Sequence, residues 1–176
     1  MNAILKTTRN LDNPAVYVGT YAKYNSGSLF GEWVDLTDFA DCEDFYTYCR
    51  ELHSDESDPE IMFQDYENFP ESFYSESGLE QSLWDYLDLD DDDQEMLAAY
   101  QDSIDGNATA SDLDSIRDCY HGKYESEIDY AYEYIDSTGM LSDMPDNIKN
   151  YFDYEAFARD IFFEMTFSNG HVFSNF

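Results

Sequence analysis

No lysine or arginine occurs from Glu51 to Ile116, a run of 66 residues that holds 21 aspartates and glutamates. The other 110 residues hold 19 acids and all 8 bases, so the run carries −21 of the total −32. Like charges at this density oppose a compact state. A chain that folds against such repulsion needs a large apolar offset, and 16 Tyr and 13 Phe supply it. Each buried ring removes much apolar area from water. Disordered acidic tails, by contrast, are poor in aromatics. The sequence therefore describes a folded acidic protein.

The charge also sorts partners. Phosphate binding requires basic patches, so nucleic acid is excluded as a direct ligand. Anionic lipid repels the chain, and no stretch approaches the 18 apolar residues of a membrane span. The segment from Met1 to Leu11 has no apolar run long enough for a secretory signal. Cys42, Cys49 and Cys119 make an odd count, which argues against a disulfide framework and for a reducing, cytoplasmic setting. General solubility or salt adaptation would spread the acids evenly. Their concentration instead points to a cationic partner.

Local patterns place the elements. Residues 1–14 read as a polar leader ending at Pro14. Ala15 to Tyr21 and Leu29 to Leu36 are strand-like, with a turn at Asn25-Ser26-Gly27. Thr37 or Asp38 is positioned to cap a helix in which Phe39, Cys42, Tyr46 and Cys49 recur at helical steps. Ile61 to Phe63 is a short strand before Phe69-Pro70. Leu79, Leu83, Trp84 and Leu87 fit a short helix. Asp90 to Asp93 open the next one, where acids complement the macrodipole. Leu113 to Ile116 and Ile128 to Ile135 are helical, and Cys119 to Tyr124 is a short strand. Gly139 is a C-cap and Pro145 restarts the chain. Helical steps run from Ile148 to Ile161. Ser168-Asn169-Gly170 closes a hairpin between Phe162–Phe167 and Val172-Phe173. The fold class expected is α+β. The chain is expected to be elongated and built of three small domains: an N-terminal α+β domain over 15–70, a small acidic helical domain over 71–108, and a C-terminal α+β domain over 109–176.

Chemical motifs are weak. Asp88, Asp90 and Asp92 begin like a calcium loop. Asp93 stands where that loop needs Gly, and Ala99 where it needs Glu. Cys42 and Cys49 lack zinc-ligand spacing and fit core packing. Cys119 and His121 make no supported nucleophile–base pair. No phosphate loop, dinucleotide fingerprint or nucleophile elbow is present. No cofactor, metal or catalytic residue is expected.

What remains is a surface. Asp65, Glu67, Glu71, Glu76, Glu80, Asp85, Asp88, Asp90, Asp91, Asp92, Asp93, Glu95 and Asp102 are the candidate acidic face. Through Leu79 to Tyr100 the acids alternate with large apolar residues, which can face inward while the carboxylates face out. Duplex DNA carries one charge per ~1.7 Å, so 21 charges match about 36 Å of duplex, near one helical turn.

Several segments resemble one family. Tyr17-Val18-Gly19-Thr20-Tyr21, Lys23-Tyr24-Asn25-Ser26-Gly27 and Leu29-Phe30-Gly31-Glu32-Trp33 resemble the opening of the ArdA antirestriction proteins. Gln64-Asp65-Tyr66-Glu67, before Phe69-Pro70, resembles the family's Asp-Tyr-Glu segment. Tyr134-Ile135-Asp136-Ser137-Thr138-Gly139 with Pro145, and Tyr151-Phe152-Asp153-Tyr154-Glu155-Ala156-Phe157-Ala158-Arg159-Asp160, resemble its C-terminal motifs. The order is kept from about Val16 to Phe173. The resemblance implies three domains in a curved acidic protein carried by mobile elements. It implies a homodimer joined near Leu141 to Asp160, through Pro145, Tyr151, Phe152, Tyr154 and Phe157. It also implies that the protein imitates bent DNA in the groove of type I restriction–modification enzymes, at the methyltransferase core. The alternative from charge alone is an acidic chaperone or adaptor for basic DNA-binding proteins.

Overall fold

The computed structural model describes residues 12–175, so most of the leader lies outside the described residues. Among the described residues it has eight helices and two three-stranded antiparallel sheets, an α+β fold. The chain divides into two compact units, one up to Leu89 and one from Asp90 onward. The boundary falls inside the stretch read as a middle helical domain.

In the first unit, β1 (Ala15–Thr20) is the central strand, flanked by β2 (Glu32–Asp35) and β3 (Ile61–Glu67). Five of its six residues are buried. That explains a strand-former run in which Ala15, Val16, Val18 and Thr20 all reach zero exposure. A register shift between Tyr17 and Val18 bends the β1–β3 pairing. Helix α1 (Tyr21–Asn25) follows β1 directly, and α2 (Cys42–Leu52) and α3 (Gln81–Leu87) complete the unit. Phe45, fully buried on α2, gathers the core. Its ring centre lies 5.3 Å from Trp84, 5.7 Å from Phe63 and 5.4 Å from Phe39. Cys49 is buried beside it on the same helix, and burial pushes its thiol up to about 12. Cys42 Sγ donates to the Leu79 carbonyl at 3.5 Å. Both thiols are packing groups.

In the second unit the helices are α4 (Asp91–Ser103), α5 (Leu113–Cys119), α6 (Glu127–Thr138), α7 (Asp146–Lys149) and α8 (Tyr154–Ile161). The strands are β4 (Tyr120–Lys123), β5 (Met165–Ser168) and β6 (His171–Ser174), in the order β4-β6-β5. Asn169 and Gly170, with φ of 50° and 88°, turn β5 into β6, as the Asn-Gly pair requires. Gly139 caps α6 at φ 65°. Tyr100, Tyr120 and Phe173 bring α4 and β4 onto β6.

Several expectations need correction. Tyr21 opens α1 and does not end β1, and the closing hairpin's first strand begins at Met165, not Phe162. The α2 helix is capped by neither Thr37 nor Asp38. Residues Leu36–Asp38 form a 3-10 turn, Phe39 is extended, and the Asp41 carboxylate accepts from Asp44 N at 2.9 Å. Buried Leu36 holds that turn against the core. The second strand begins at Glu32, not Leu29, because the preceding loop carries its own hydrogen bonds. Strand β3 runs to Glu67, well beyond Phe63, since it pairs along all of β1. The helical steps from Ile148 to Ile161 are broken: α7 ends at Lys149, and Asp153 starts α8 by accepting from Ala156 N at 2.9 Å.

Candidate acidic surface

Eleven of the thirteen carboxylates expected on the acidic face are exposed; Glu67 and Asp93 are half-buried. They do not form one uniform class. Asp65 lies on β3 and accepts from Tyr66 N at 2.9 Å. Glu71 starts a 3-10 turn, and Glu76 is hydrogen-bonded with Tyr21. Glu80 precedes α3. Asp85 on α3 accepts from Gln81 Nε2 at 3.1 Å, and Asp88 ends that helix. Asp90 caps α4 through a 2.9 Å bond from Asp93 N. A carboxylate there is stabilised by the helix dipole and by an otherwise unpaired amide. Asp91 and Asp92 stand exposed in the first turn. Asp102 accepts from Asn169 Nδ2 at 2.9 Å.

Asp93 and Glu95 depart from the simple picture. Arg117 Nη2 lies 2.5 Å from Asp93, and Lys123 is paired with Glu95. The Lys123 hydrogen bond holds the Glu95 carboxyl below its ordinary range. These two bases follow the base-free run in sequence but fold back onto its acids. Asp92, Asp93, Glu95, Met96, Arg117, Tyr120, Lys123 and His171 line one cavity of about 440 Å³. Asp88, Asp91 and Asp92 carry no ion pair among the described residues. Asp92 nonetheless lines the cavity with Arg117, Lys123 and His171, which leaves Asp88 and Asp91 as the less compensated charges of the three.

The charge is also spread more evenly over the fold than over the sequence. The first unit holds 19 acids and 4 bases, the second 21 acids and 4 bases. Repulsion within each unit is screened by salt. The melting temperature is therefore expected to rise from low to moderate ionic strength in a thermal scan. A flat or falling curve would show that the acids are compensated internally.

A cluster that sequence spacing did not reveal lies in the first unit. Lys23 Nζ lies 2.9 Å from His53 Nδ1, 2.7 Å from Asp55 and 3.2 Å from Glu56, while Thr20 Oγ1 donates to Glu56 at 2.7 Å. His53, Asp55 and Glu56 form the one set among the described residues with metal-ligand geometry. The Lys23 ammonium sits against all three groups, where a cation would. Burial works against its charge, but the bonds to Asp55 and Glu56 outweigh that and raise its pKa. The partners are 30 or more residues apart in sequence, so no motif announces them.

His53 and His171 are both buried. Burial first, and a neighbouring lysine second, push each imidazole below its ordinary 6.5. The unfolded chain thus takes up protons more readily near pH 6.5 than the folded one. This stability is complete above that pH and is lost as pH falls toward the depressed folded values. Asp55, Glu56 and Glu95 are shifted down and act only at lower pH. The unfolding midpoint is expected to fall from about pH 7.5 to about pH 5.5. A His53→Gln, His171→Gln variant should flatten that slope; an unchanged slope in the variant would assign it elsewhere.

Cys119 and His121 are not brought together as a reactive pair. Cys119 Sγ donates to the Ile116 carbonyl at 3.1 Å, and His121 Nδ1 faces Tyr130 Oη at 3.3 Å.

The five residues expected at a self-association face all lie in the second unit. Tyr151 is 86% exposed, and Pro145 is exposed. Phe152, Tyr154 and Phe157 are half-buried in a ring cluster with α6: Tyr132–Tyr154 at 4.3 Å, Tyr134–Phe157 at 6.1 Å and Phe152–Phe157 at 5.7 Å. Tyr132, Met140, Met144, Ile148 and Phe163 are further exposed apolar residues of this unit.

No helix among the described residues is long and apolar enough to cross a membrane. No curated protein matches the chain. The family model described as Antirestriction protein (ArdA) matches residues 16–173 of 176, nearly the whole chain, and the protein belongs to the ArdA antirestriction family.

Proposed function

We propose that this protein inhibits type I restriction–modification enzymes by occupying their DNA-binding groove in place of DNA. The observation that carries the reading is the set of exposed carboxylates held on ordered elements, with Asp88 and Asp91 in no ion pair among the described residues. An enzyme groove that holds duplex presents Lys and Arg to phosphates. Carboxylates fixed on helices and strands can neutralise those same groups without paying for their own ordering on binding. No bond is made or broken, and no cofactor is required.

The methyltransferase core is the part of the enzyme addressed, because it grips the duplex. Phosphate-like contacts position a ligand but carry no sequence information. Inhibition should therefore be indifferent to the enzyme's target sequence. We further propose a homodimer joined by the exposed apolar face of the second unit, and a division of the mimic into three functional segments over 15–70, 71–108 and 109–176. A dimer would double the charge presented along one groove. The setting is cytoplasmic, where restriction enzymes meet incoming DNA, and the gene belongs on a mobile element that profits from evading them. The test is inhibition of two type I enzymes with unrelated recognition sequences. Comparable inhibition supports the reading; inhibition confined to one would mean that something other than backbone charge is being matched.

A further inference from the structure

The loop between α1 and β2 holds apolar side chains out in water. Leu29 is 85% exposed, Phe30 54% and Tyr24 55%. The loop is nonetheless fastened at several points. Ser28 N donates to the Lys23 carbonyl at 2.9 Å, Phe30 N to Ser28 Oγ at 3.2 Å, and Tyr17 Oη to the Leu29 carbonyl at 3.1 Å. Gly27 makes the turn at φ 79°. At Gly31 the loop presses so closely on β1 that a Cβ would lie 2.5 Å from the Tyr17 ring and 2.6 Å from the Val18 carbonyl. The Phe30 ring lies under Lys23 Nζ, 4.8 Å from its centre, and edge-on to His53 at 5.8 Å. The Lys23–His53 pair of the cluster described above thus packs against the Phe30 ring. Asp55, with its side chain 65% exposed, and Glu56 share that same lysine, so carboxylates border the apolar tip.

We propose that Leu29 and Phe30 form an apolar anchor that enters a pocket with an apolar floor and a basic rim on the DNA-binding protein this chain inhibits. The inference rests on the reading under Proposed function and adds to it a contact that phosphate rows do not supply. Charge complementarity selects the occupant. A second copy would bring Asp55 and Glu56 against their own equivalents, and nucleic acid or anionic lipid would meet the same repulsion. A cationic protein surface gains from both the tip and its border. The tip is pre-ordered, so little freedom is lost when it docks. Apolar anchors surrounded by a polar rim commonly dominate interface affinity.

The experiment is inhibition of a type I enzyme by the wild-type protein, Leu29→Ser, Phe30→Ser and the double variant at three salt concentrations. Solution mass and thermal melting are recorded for each. Leu29→Ser removes only an exposed side chain, so it should keep the fold even if Phe30→Ser disturbs the Lys23 cluster. Each single variant should inhibit about 10-fold more weakly. The slope of inhibition against salt should stay that of the wild type, because the lost contact is uncharged. Wild-type inhibition with an equally potent, folded Leu29→Ser overturns the anchor alone. Failure of the wild type to inhibit overturns the underlying reading and the anchor with it. A fall in solution mass at unchanged inhibition, or a changed salt slope, also overturns the assignment.

Discussion

Replacing Asp88, Asp90, Asp91, Asp92, Asp93 and Glu95 together by their amides should weaken inhibition of a type I enzyme by about two orders of magnitude at low salt, while Asp91→Asn alone should cost less than about threefold. The asymmetry follows from the mechanism. Phosphate-like contacts are individually modest and act in sum, whereas a discrete catalytic or binding carboxylate abolishes activity when lost. Asn at position 90 keeps an oxygen for the Asp93 amide, so the α4 cap survives the substitution. Asp93→Asn and Glu95→Gln release Arg117 and Lys123, and each change still removes one negative charge from the surface. The gap between wild type and the sixfold variant should narrow as salt rises, because screening removes from the wild type the contribution that the variant has already lost. Inhibition constants for the graded set at two salt concentrations check this. Complete loss from one substitution in a folded protein would mean a discrete site.

A charge at Tyr151 should convert a dimer to monomer without unfolding it. Tyr151 is 86% exposed. Tyr151→Glu is therefore a surface change within one unit, worth about 0.5 kcal/mol or less to the fold. In a dimer joined by this face, two such charges would be buried without partners, which costs several kcal/mol. Phe157→Glu is a harsher probe. It breaks the ring cluster with Tyr134 and Phe152, so it should lower stability as well as mass. Light scattering with circular dichroism separates the two effects. A folded Tyr151→Glu variant of unchanged mass would remove this face from the interface.

Sequence periodicity located the secondary structure where short-range chemistry decides it. Asp90 to Asp93 at the head of α4, Gly139 at the end of α6 and Asn169-Gly170 in the hairpin act within a few residues of chain. It misplaced boundaries where tertiary contacts win. Buried Leu36 pulls Thr37 and Asp38 into a 3-10 turn and moves the α2 cap to Asp41. Asp153 interrupts an aromatic pattern that is continuous in the letters alone. The acidic face was legible as a count of charges. Its compensation was not, because Arg117 and Lys123 lie 24 and 28 residues from Asp93 and Glu95. The Lys23–His53–Asp55–Glu56 cluster was silent for the same reason. Long-range ion pairs leave no periodic trace.

Displacement of duplex is the most direct test of the central claim. A labelled duplex bound to a type I enzyme is titrated with the protein and followed by gel shift, with an unrelated basic DNA-binding protein run in parallel. Release of the duplex from the enzyme near stoichiometry, whatever its sequence, and little release from the unrelated protein is the predicted result. An enzyme that is inhibited while its duplex stays bound would contradict competition for the groove, and equal release from both proteins would identify a general acidic chaperone instead.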